Sequence, residues 1–134
     1  PLLFVADEPA GLIRLYDPIT GRLLKSSNQL DSPVHLLIEG DTIYVGAKKQ
    51  VLSSPVPDPN DPHAPDWAFT PLKLSPKVQG SVSGMAFDDK GCFHVAVRTQ
   101  QTVMKYQPDF TGGVAWVSAP MPDSPEFLLY IPDK

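Results

Sequence analysis

The chain has 134 residues, of which 42% are hydrophobic and 19% charged, and this length and balance fit one folded domain. Its net charge of −4 argues against a nucleic-acid or anionic-membrane surface, and no apolar run is long enough for a transmembrane helix. The 16 prolines argue against a helical fold, since a proline inside a helix costs about 3 kcal/mol.

Short apolar runs, separated by turn residues about every 8–12 positions, predict an all-β protein. Turn chemistry marks the breaks: residues 17–21 place proline early and glycine late, as a tight connection between two strands requires. The predicted strands are residues 2–6, 12–16, 23–26, 34–38, 42–46, 50–54, 70–74, 83–87, 92–97, 102–106, 113–118 and 127–131.

Three segments of the chain repeat one pattern, an apolar strand that starts with serine. They read SPVHLLIE at 32–39, SVSGMAFD at 81–88 and SPEFLLYI at 124–131. The first two are each followed by a turn and a second strand, whereas the counterpart for the third lies at residues 2–7, at the other end of the chain. The repeating unit is therefore four strands in roughly 45 residues, a period typical of β-propeller blades.

These repeats resemble those of NHL-type β-propellers, and at blade level they look similar to propeller lactonases of the gluconolactonase type. The resemblance covers nearly the whole chain and implies a single all-β domain, residues 1–134, with three four-stranded blades. A proline-rich insertion at 55–71 interrupts the middle blade between its third and fourth strands.

The chain starts on the second strand of a blade and ends on the first strand of one, an offset that closes propellers by a velcro-type seam. Here the seam would join residues 127–131 to residues 2–6. Because propellers typically have 4–8 blades, we expect a homodimer of six blades, in which that seam can form between chains. The alternatives are half of a longer propeller, or a different β fold.

Ligands of propellers usually sit where the inner strands open into the central channel, which makes Glu126, His35 and Ser83 the channel-face candidates. These strands start with the residue pairs Val34-His35, Ser83-Gly84 and Glu126-Phe127. Because side chains alternate along a strand, one residue of each pair points into the channel, and the sequence leaves open which one. The resemblance to lactonases places Glu126 at a metal-ligand position. Ser83 and Val34 depart from that pattern, because serine is a poor ligand for a hard cation and valine is none.

The insertion offers a second candidate site, with His63, Trp67 and Phe69 as recognition residues on a protruding loop. The interpretation that we favour is a solvated insertion whose aromatic side chains fold back onto their own blade. His94 and the single cysteine, Cys92, are expected to be packed strand residues.

We therefore expect a binding or scaffold module that recognises a small molecule or a protein through the channel face or the proline-rich loop. One alternative is a metal-dependent lactonase-like hydrolase at the channel, and another is a lectin-like propeller. No cofactor is expected, with a divalent cation at Glu126 as the alternative, and neither nucleic acid nor membrane is an expected partner. One cysteine and no visible signal peptide favour the cytoplasm.

Overall fold

The structure, a computed structural model, describes residues 1–117 and 123–133. These residues form an all-β fold, with no α-helix among them and one short 3-10 turn at Arg98–Gln100. Nothing in the described part of the chain is a helix able to span a membrane. The strands are β1 (Leu3–Asp7), β2 (Leu12–Tyr16), β3 (Leu23–Ser26), β4 (His35–Glu39), β5 (Thr42–Ala47), β6 (Gln50–Pro55), β7 (Thr70–Pro71), β8 (Val82–Phe87), β9 (Phe93–Val97), β10 (Thr102–Tyr106) and β11 (Val114–Ala115).

The strands form three antiparallel sheets, each built from consecutive strands. Sheet 1 has the order β1-β2-β3, sheet 2 the order β4-β5-β6-β7, and sheet 3 the order β8-β9-β10-β11. The two four-stranded sheets thus match the predicted unit. Sheet 1 has three strands in the described chain, with β1 as an edge strand.

Most predicted strands lie within one residue of the observed bounds, and β2, β3 and β10 match them. Two predictions were too long: residues 70–74 shorten to β7, and residues 113–118 to β11, with residue 118 outside the described part. Residues 127–131 were predicted as a strand and form none, because they lie beside β8 without pairing with it and no other strand of the described chain pairs with them.

The turn between β2 and β3 forms as its residues predict. The Asp17 side chain accepts hydrogen bonds from the backbone amides of Ile19 and Thr20, at 2.8 and 3.3 Å. Gly21 donates its amide to the Asp17 carbonyl and has φ +72°, a conformation that glycine adopts without the steric cost of a side chain. A comparable turn, ending at Gly112 with φ +64°, precedes β11.

Two hydrophobic clusters join the sheets, and sheet 2 contributes to both. The first cluster joins sheet 1 to sheet 2 and includes Ile13, Leu15, Ile43 and Val45. The second cluster joins sheet 2 to sheet 3 and contains the buried residues Val51, Leu74, Val78, Val82, Met85, Phe93, Val95, Val97 and Tyr106. Sheet 2 therefore stands between the other two, and sheets 1 and 3 each turn one face away from it.

Residues 124–131, which we call the C-terminal segment, lie against sheet 3 at its first strand, β8. The buried hydroxyl of Ser83 donates a hydrogen bond of 2.5 Å to the Pro125 carbonyl. At Gly84 the backbones come so close that an added Cβ would lie 2.8 Å from the Leu128 amide nitrogen. A glycine at this position therefore allows the segment to approach the strand.

Candidate functional site

The starts of β4 and β8 and the C-terminal segment enclose a cleft of about 580 Å³, which we call the inner cleft. All three channel-face candidates, His35, Ser83 and Glu126, line it. Both residues of two strand-start pairs reach it, Val34 with His35 and Glu126 with Phe127, while the third pair contributes Ser83 only, since Gly84 has no side chain. The rest of the lining is formed by Glu8, Ser32, Ala47, Lys48, Ser81, Val82 and Arg98.

His35 has the least satisfied polar group of the cleft. Its Nδ1 is buried without a hydrogen-bond partner, and it is the one such side-chain atom found among residues 1–117 and 123–133. The edge of its ring meets the Phe127 ring, with centroids 5.2 Å apart. Burial lowers the pKa of His35, because an imidazolium in this position loses hydration that no neighbouring group replaces. At neutral pH the ring is therefore uncharged and holds one unused hydrogen-bonding atom.

Glu126 pairs with Arg98, a residue that the sequence analysis did not single out. Arg98 Nε lies 3.1 Å from Glu126 Oε1, and both side chains are more than half exposed. An exposed pair of this kind contributes little to stability and exchanges readily with a competing ligand. Arg98 follows β9 directly, so only the pairing of β9 with β8 brings it beside the C-terminal segment.

Ser83 was predicted to face the channel, but its hydroxyl is already engaged. It is buried, and it donates to the Pro125 carbonyl. The serine therefore fastens the C-terminal segment to β8, and its oxygen is not presented to a ligand as a free donor.

The donors in the inner cleft do not form a metal centre within one chain. No group of three or more His, Cys, Asp or Glu side chains that could hold a metal ion occurs in the described ranges, 1–117 and 123–133. The guanidinium beside Glu126 also competes with a cation for the same carboxylate.

The proline-rich insertion lies between β6 and β7 and does not present its aromatic residues to solvent. Trp67 and Phe69 are buried and belong to the cluster between sheets 1 and 2. The Trp67 indole donates a hydrogen bond of 3.1 Å to Ser54 Oγ. These two side chains therefore cannot act as exposed anchors. Their burial against sheets 1 and 2 removes apolar surface from water, which would stay hydrated if the loop protruded into solvent. Of the three loop candidates, only His63 is exposed.

His94 lies on the face of sheet 3 that is turned away from sheet 2. Its Nε2 is 3.0 Å from Asp88 Oδ2, and its ring meets the Trp116 ring edge-on, with centroids 6.1 Å apart. The hydrogen bond from His94 and the amides of Cys92 and Lys90 lower the pKa of Asp88. Asp88 thereby orders the turn before β9, a structural task, and Cys92 beside it is buried.

A second cleft, of about 540 Å³, lies at the outer edge of sheet 2 and carries the exposed lysines Lys49, Lys73 and Lys77. It has no buried unsatisfied polar atom, unlike the inner cleft. Flexible surface lysines are solvated on their own and define no particular ligand. The inner cleft is thus the better candidate.

No protein-family model matches the chain, and a search of curated proteins finds no significant match. A fold alone does not determine a function. Function therefore has to be inferred from the inner cleft itself.

Proposed function

We propose that this protein is a binding module of β-propeller type, whose ligand is a small hydroxylated carboxylic acid held in the inner cleft. The observation that carries the proposal is the cleft of about 580 Å³ lined by His35, a residue whose buried Nδ1 has no hydrogen-bond partner. An unsatisfied buried polar atom costs about 1–3 kcal/mol, and a ligand recovers that cost when its entry shifts the ring so that the atom meets a partner.

The charges around the cleft favour this class of ligand. Arg98 and Lys48 are cations suited to a carboxylate, and Arg98 can leave its exposed pair with Glu126 to meet one. Glu126 then accepts hydrogen bonds from hydroxyl groups. The volume of the cleft lies within the range of ordinary small-molecule sites.

Binding is favoured over catalysis by what surrounds the histidine. A histidine that acts as a general base is usually oriented by a third group on its second nitrogen, and His35 Nδ1 has no such partner. The hydroxyl of Ser83 is engaged with Pro125, so the cleft gains no activated nucleophile from it.

In its finer form, the proposed fold is a six-bladed propeller made of two copies of the chain. The consecutive strand orders of sheets 2 and 3 support it, as does the missing first strand of sheet 1. In this arrangement each copy contributes one inner cleft to a shared central channel.

Nuclear magnetic resonance of the three histidine rings tests the binding proposal, with sodium gluconate as the probe. We expect gluconate to shift the ring signals of His35 and to leave those of His63 and His94 unchanged, since these two lie outside the cleft. His35→Gln should abolish saturable binding measured by calorimetry, whereas His63→Gln, a matched change in the exposed loop, should keep it. Gluconate binding that survives His35→Gln would refute the site.

The same sample tests the hydrolase alternative. Addition of glucono-1,5-lactone with Ca²⁺ should release acid at the uncatalysed rate if the protein only binds. Faster release that Glu126→Gln abolishes would favour the lactonase-like alternative over a binding module.

A further inference from the structure

We propose that the C-terminal segment of one copy supplies the missing first strand of sheet 1 in a second copy, by pairing antiparallel with β1. The proposal rests on the proposed propeller and names how its two chains join. The donor strand and the acceptor edge lie on the same chain but on sheets that cannot meet within it.

The donor is the C-terminal segment, whose apolar side chains alternate between largely exposed and partly covered. Phe127, Leu129 and Ile131 are 65%, 75% and 79% exposed, while Leu128 between them is half-buried near sheet 3. An alternation of exposed and covered apolar residues is the pattern of a strand inside a sheet. Here one face is packed and the other faces water, so a partner for the second face is missing.

Sheet 3 holds this donor strand in position before any partner arrives. Ser83 fastens the Pro125 carbonyl, the close approach at Gly84 fits the backbone of the segment, and Arg98 pairs with Glu126. Fixing a strand beforehand lowers the entropic cost of docking it. The segment is therefore suited to be a donor strand and has no need to fold at the moment of binding.

The acceptor is β1, which within the described chain pairs with β2 alone. Its other edge presents backbone amides and carbonyls without a neighbouring strand. Leu3 and Val5 on the face turned away from sheet 2 are 48% and 38% exposed. Proteins usually block such an edge, because an open apolar edge strand recruits other strands.

Sheets 2 and 3 each contain the arrangement that sheet 1 lacks, and they give its register. In sheet 2 Leu36 of β4 lies opposite Val45 of β5, and in sheet 3 Met85 of β8 lies opposite Val95 of β9. Each of these four residues packs against the sheet that precedes its own, in one of the two hydrophobic clusters. The two complete sheets therefore share one register and one direction of packing.

Carried over to the sequence repeats, this register places Leu128 opposite Val5. SPEFLLYI at 124–131 aligns with SPVHLLIE at 32–39, so that Leu128 corresponds to Leu36, and Val5 aligns with Val45 in the second strand. In the exchanged sheet, Leu128 and Val5 would both face sheet 3 of the donor copy. Phe127, Leu129 and Ile131, now more than half exposed, would face sheet 2 of the acceptor copy.

The two strands cannot meet within one chain, because sheet 2 separates them. Sheet 1 packs on one face of sheet 2 and sheet 3 on the other. A second copy offers the same donor segment and the same β1 edge. Two reciprocal exchanges therefore pair both donor segments with both β1 edges and close the assembly with two-fold symmetry.

The exchange also bears on the inner cleft, since Glu126 and Phe127 lie at the start of the donor strand. Pairing residues 127–131 with β1 of the partner would fix both side chains. We therefore expect the dimer to hold the lining of the cleft more firmly than the single chain does.

Disulfide cross-linking between two singly substituted chains tests the exchange. Both chains carry Cys92→Ala, one also carries Val5→Cys and the other Leu128→Cys, and the two are refolded together and oxidised. Directly opposite residues on one face of an antiparallel pair lie within disulfide reach. We expect a reducible product near twice 14.6 kDa in this mixture. The matched control pairs Val5→Cys with Leu129→Cys, whose side chain points to the other face, and should give about tenfold less product.

Gly84→Val provides a second test that leaves the exchanged residues unchanged. Its added atoms would meet the Leu128 amide nitrogen, which lies 2.8 Å from an added Cβ, and would push the donor strand off sheet 3. Light scattering should then show a dimer dissociation constant raised about tenfold or more, with the circular dichroism spectrum of the β-fold retained.

Four results separate the exchange from the proposed function. A folded monomer of 14.6 kDa by light scattering, or equal cross-linking of the in-register and control pairs, would overturn the exchange. In-register cross-linking without any gluconate effect on His35 would support the exchange and reject the proposed ligand. Gluconate binding by a monomer would support the proposed ligand and reject the exchange.

Discussion

Replacing Trp67 tests whether the proline-rich insertion is part of the core. Its side chain is only 5% exposed and meets the rings of Phe4 and Phe69, with centroids 5.9 and 5.3 Å apart. Its indole N–H donates to Ser54 Oγ at 3.1 Å. Trp67→Ala therefore removes a large buried side chain and a buried hydrogen bond together.

The expected loss for Trp67→Ala is about 3–5 kcal/mol of unfolding free energy, the usual cost of truncating a buried aromatic residue to alanine. Trp67→Phe keeps a ring against Phe4 but loses the N–H donor, so we expect about 1–2 kcal/mol. His63→Ala, in the exposed part of the same insertion, is the matched control and should stay within about 0.5 kcal/mol.

Urea unfolding followed by circular dichroism, at a fixed protein concentration, measures all three variants. A loss for Trp67→Ala no larger than that of His63→Ala would refute the packing of the loop and return Trp67 to the exposed recognition candidates. A loss in the order Ala, then Phe, then the control supports an insertion anchored by its aromatic residues.

Three further predictions concern the inner cleft and the core. Burial depresses the pKa of His35 below the ordinary 6.5, so at mildly acidic pH the unfolded chain binds a proton that the folded chain does not. The free energy of unfolding should therefore rise with pH up to about 6.5 and level off above it. Urea unfolding at several pH values would measure this rise, which His35→Gln should remove. Tyr106→Phe removes a hydroxyl that donates to the Pro76 carbonyl at 2.7 Å in a fully buried side chain, so thermal unfolding should show a loss of about 1 kcal/mol, and an unchanged midpoint would contradict that bond. Gly46→Ala would place a Cβ 3.0 Å from the Val82 carbonyl oxygen, a backbone atom that cannot move aside. We expect a loss of about 1–3 kcal/mol of unfolding free energy in the same thermal assay. A neutral effect would show that sheets 2 and 3 pack less closely.

The strands could be predicted from the sequence because their limits are set locally. At β2, alternating apolar residues and the turn at Asp17 and Gly21 define both the strand and its end, and the observed bounds agree with the predicted ones. The strand prediction at residues 127–131 used the same signal and was wrong for the single chain. A strand needs a hydrogen-bonded neighbour, and the apolar pattern does not say where that neighbour is.

The favoured prediction, that the loop aromatics fold back onto their blade, agrees with the burial of Trp67 and Phe69, but the contacts that hold them could not be predicted, because they come from a distant residue. Asn28 Oδ1 accepts a hydrogen bond of 2.8 Å from the backbone amide of Phe69. The backbone amide of Asn28 donates a hydrogen bond of 3.1 Å to the Trp67 carbonyl. These bonds span about forty residues, and an asparagine after a predicted strand is an ordinary loop residue in sequence. Composition indicates that the insertion is irregular but does not indicate which distant residues its side chains contact.

The inner cleft combines both situations. The repeat predicted that His35, Ser83 and Glu126 stand at equivalent strand starts, and the structure brings them into one cleft. Their chemical states depend on neighbours from other parts of the chain: Arg98 pairs with Glu126, Pro125 engages Ser83, and no side chain reaches His35 Nδ1 in the described part. All three neighbourhoods involve the C-terminal segment, since the His35 ring meets Phe127, and this segment is also the proposed donor strand. If pairing with a second copy stabilises that strand further, then the properties of the cleft depend on the assembly, and ligand affinity should increase with protein concentration across the monomer–dimer transition.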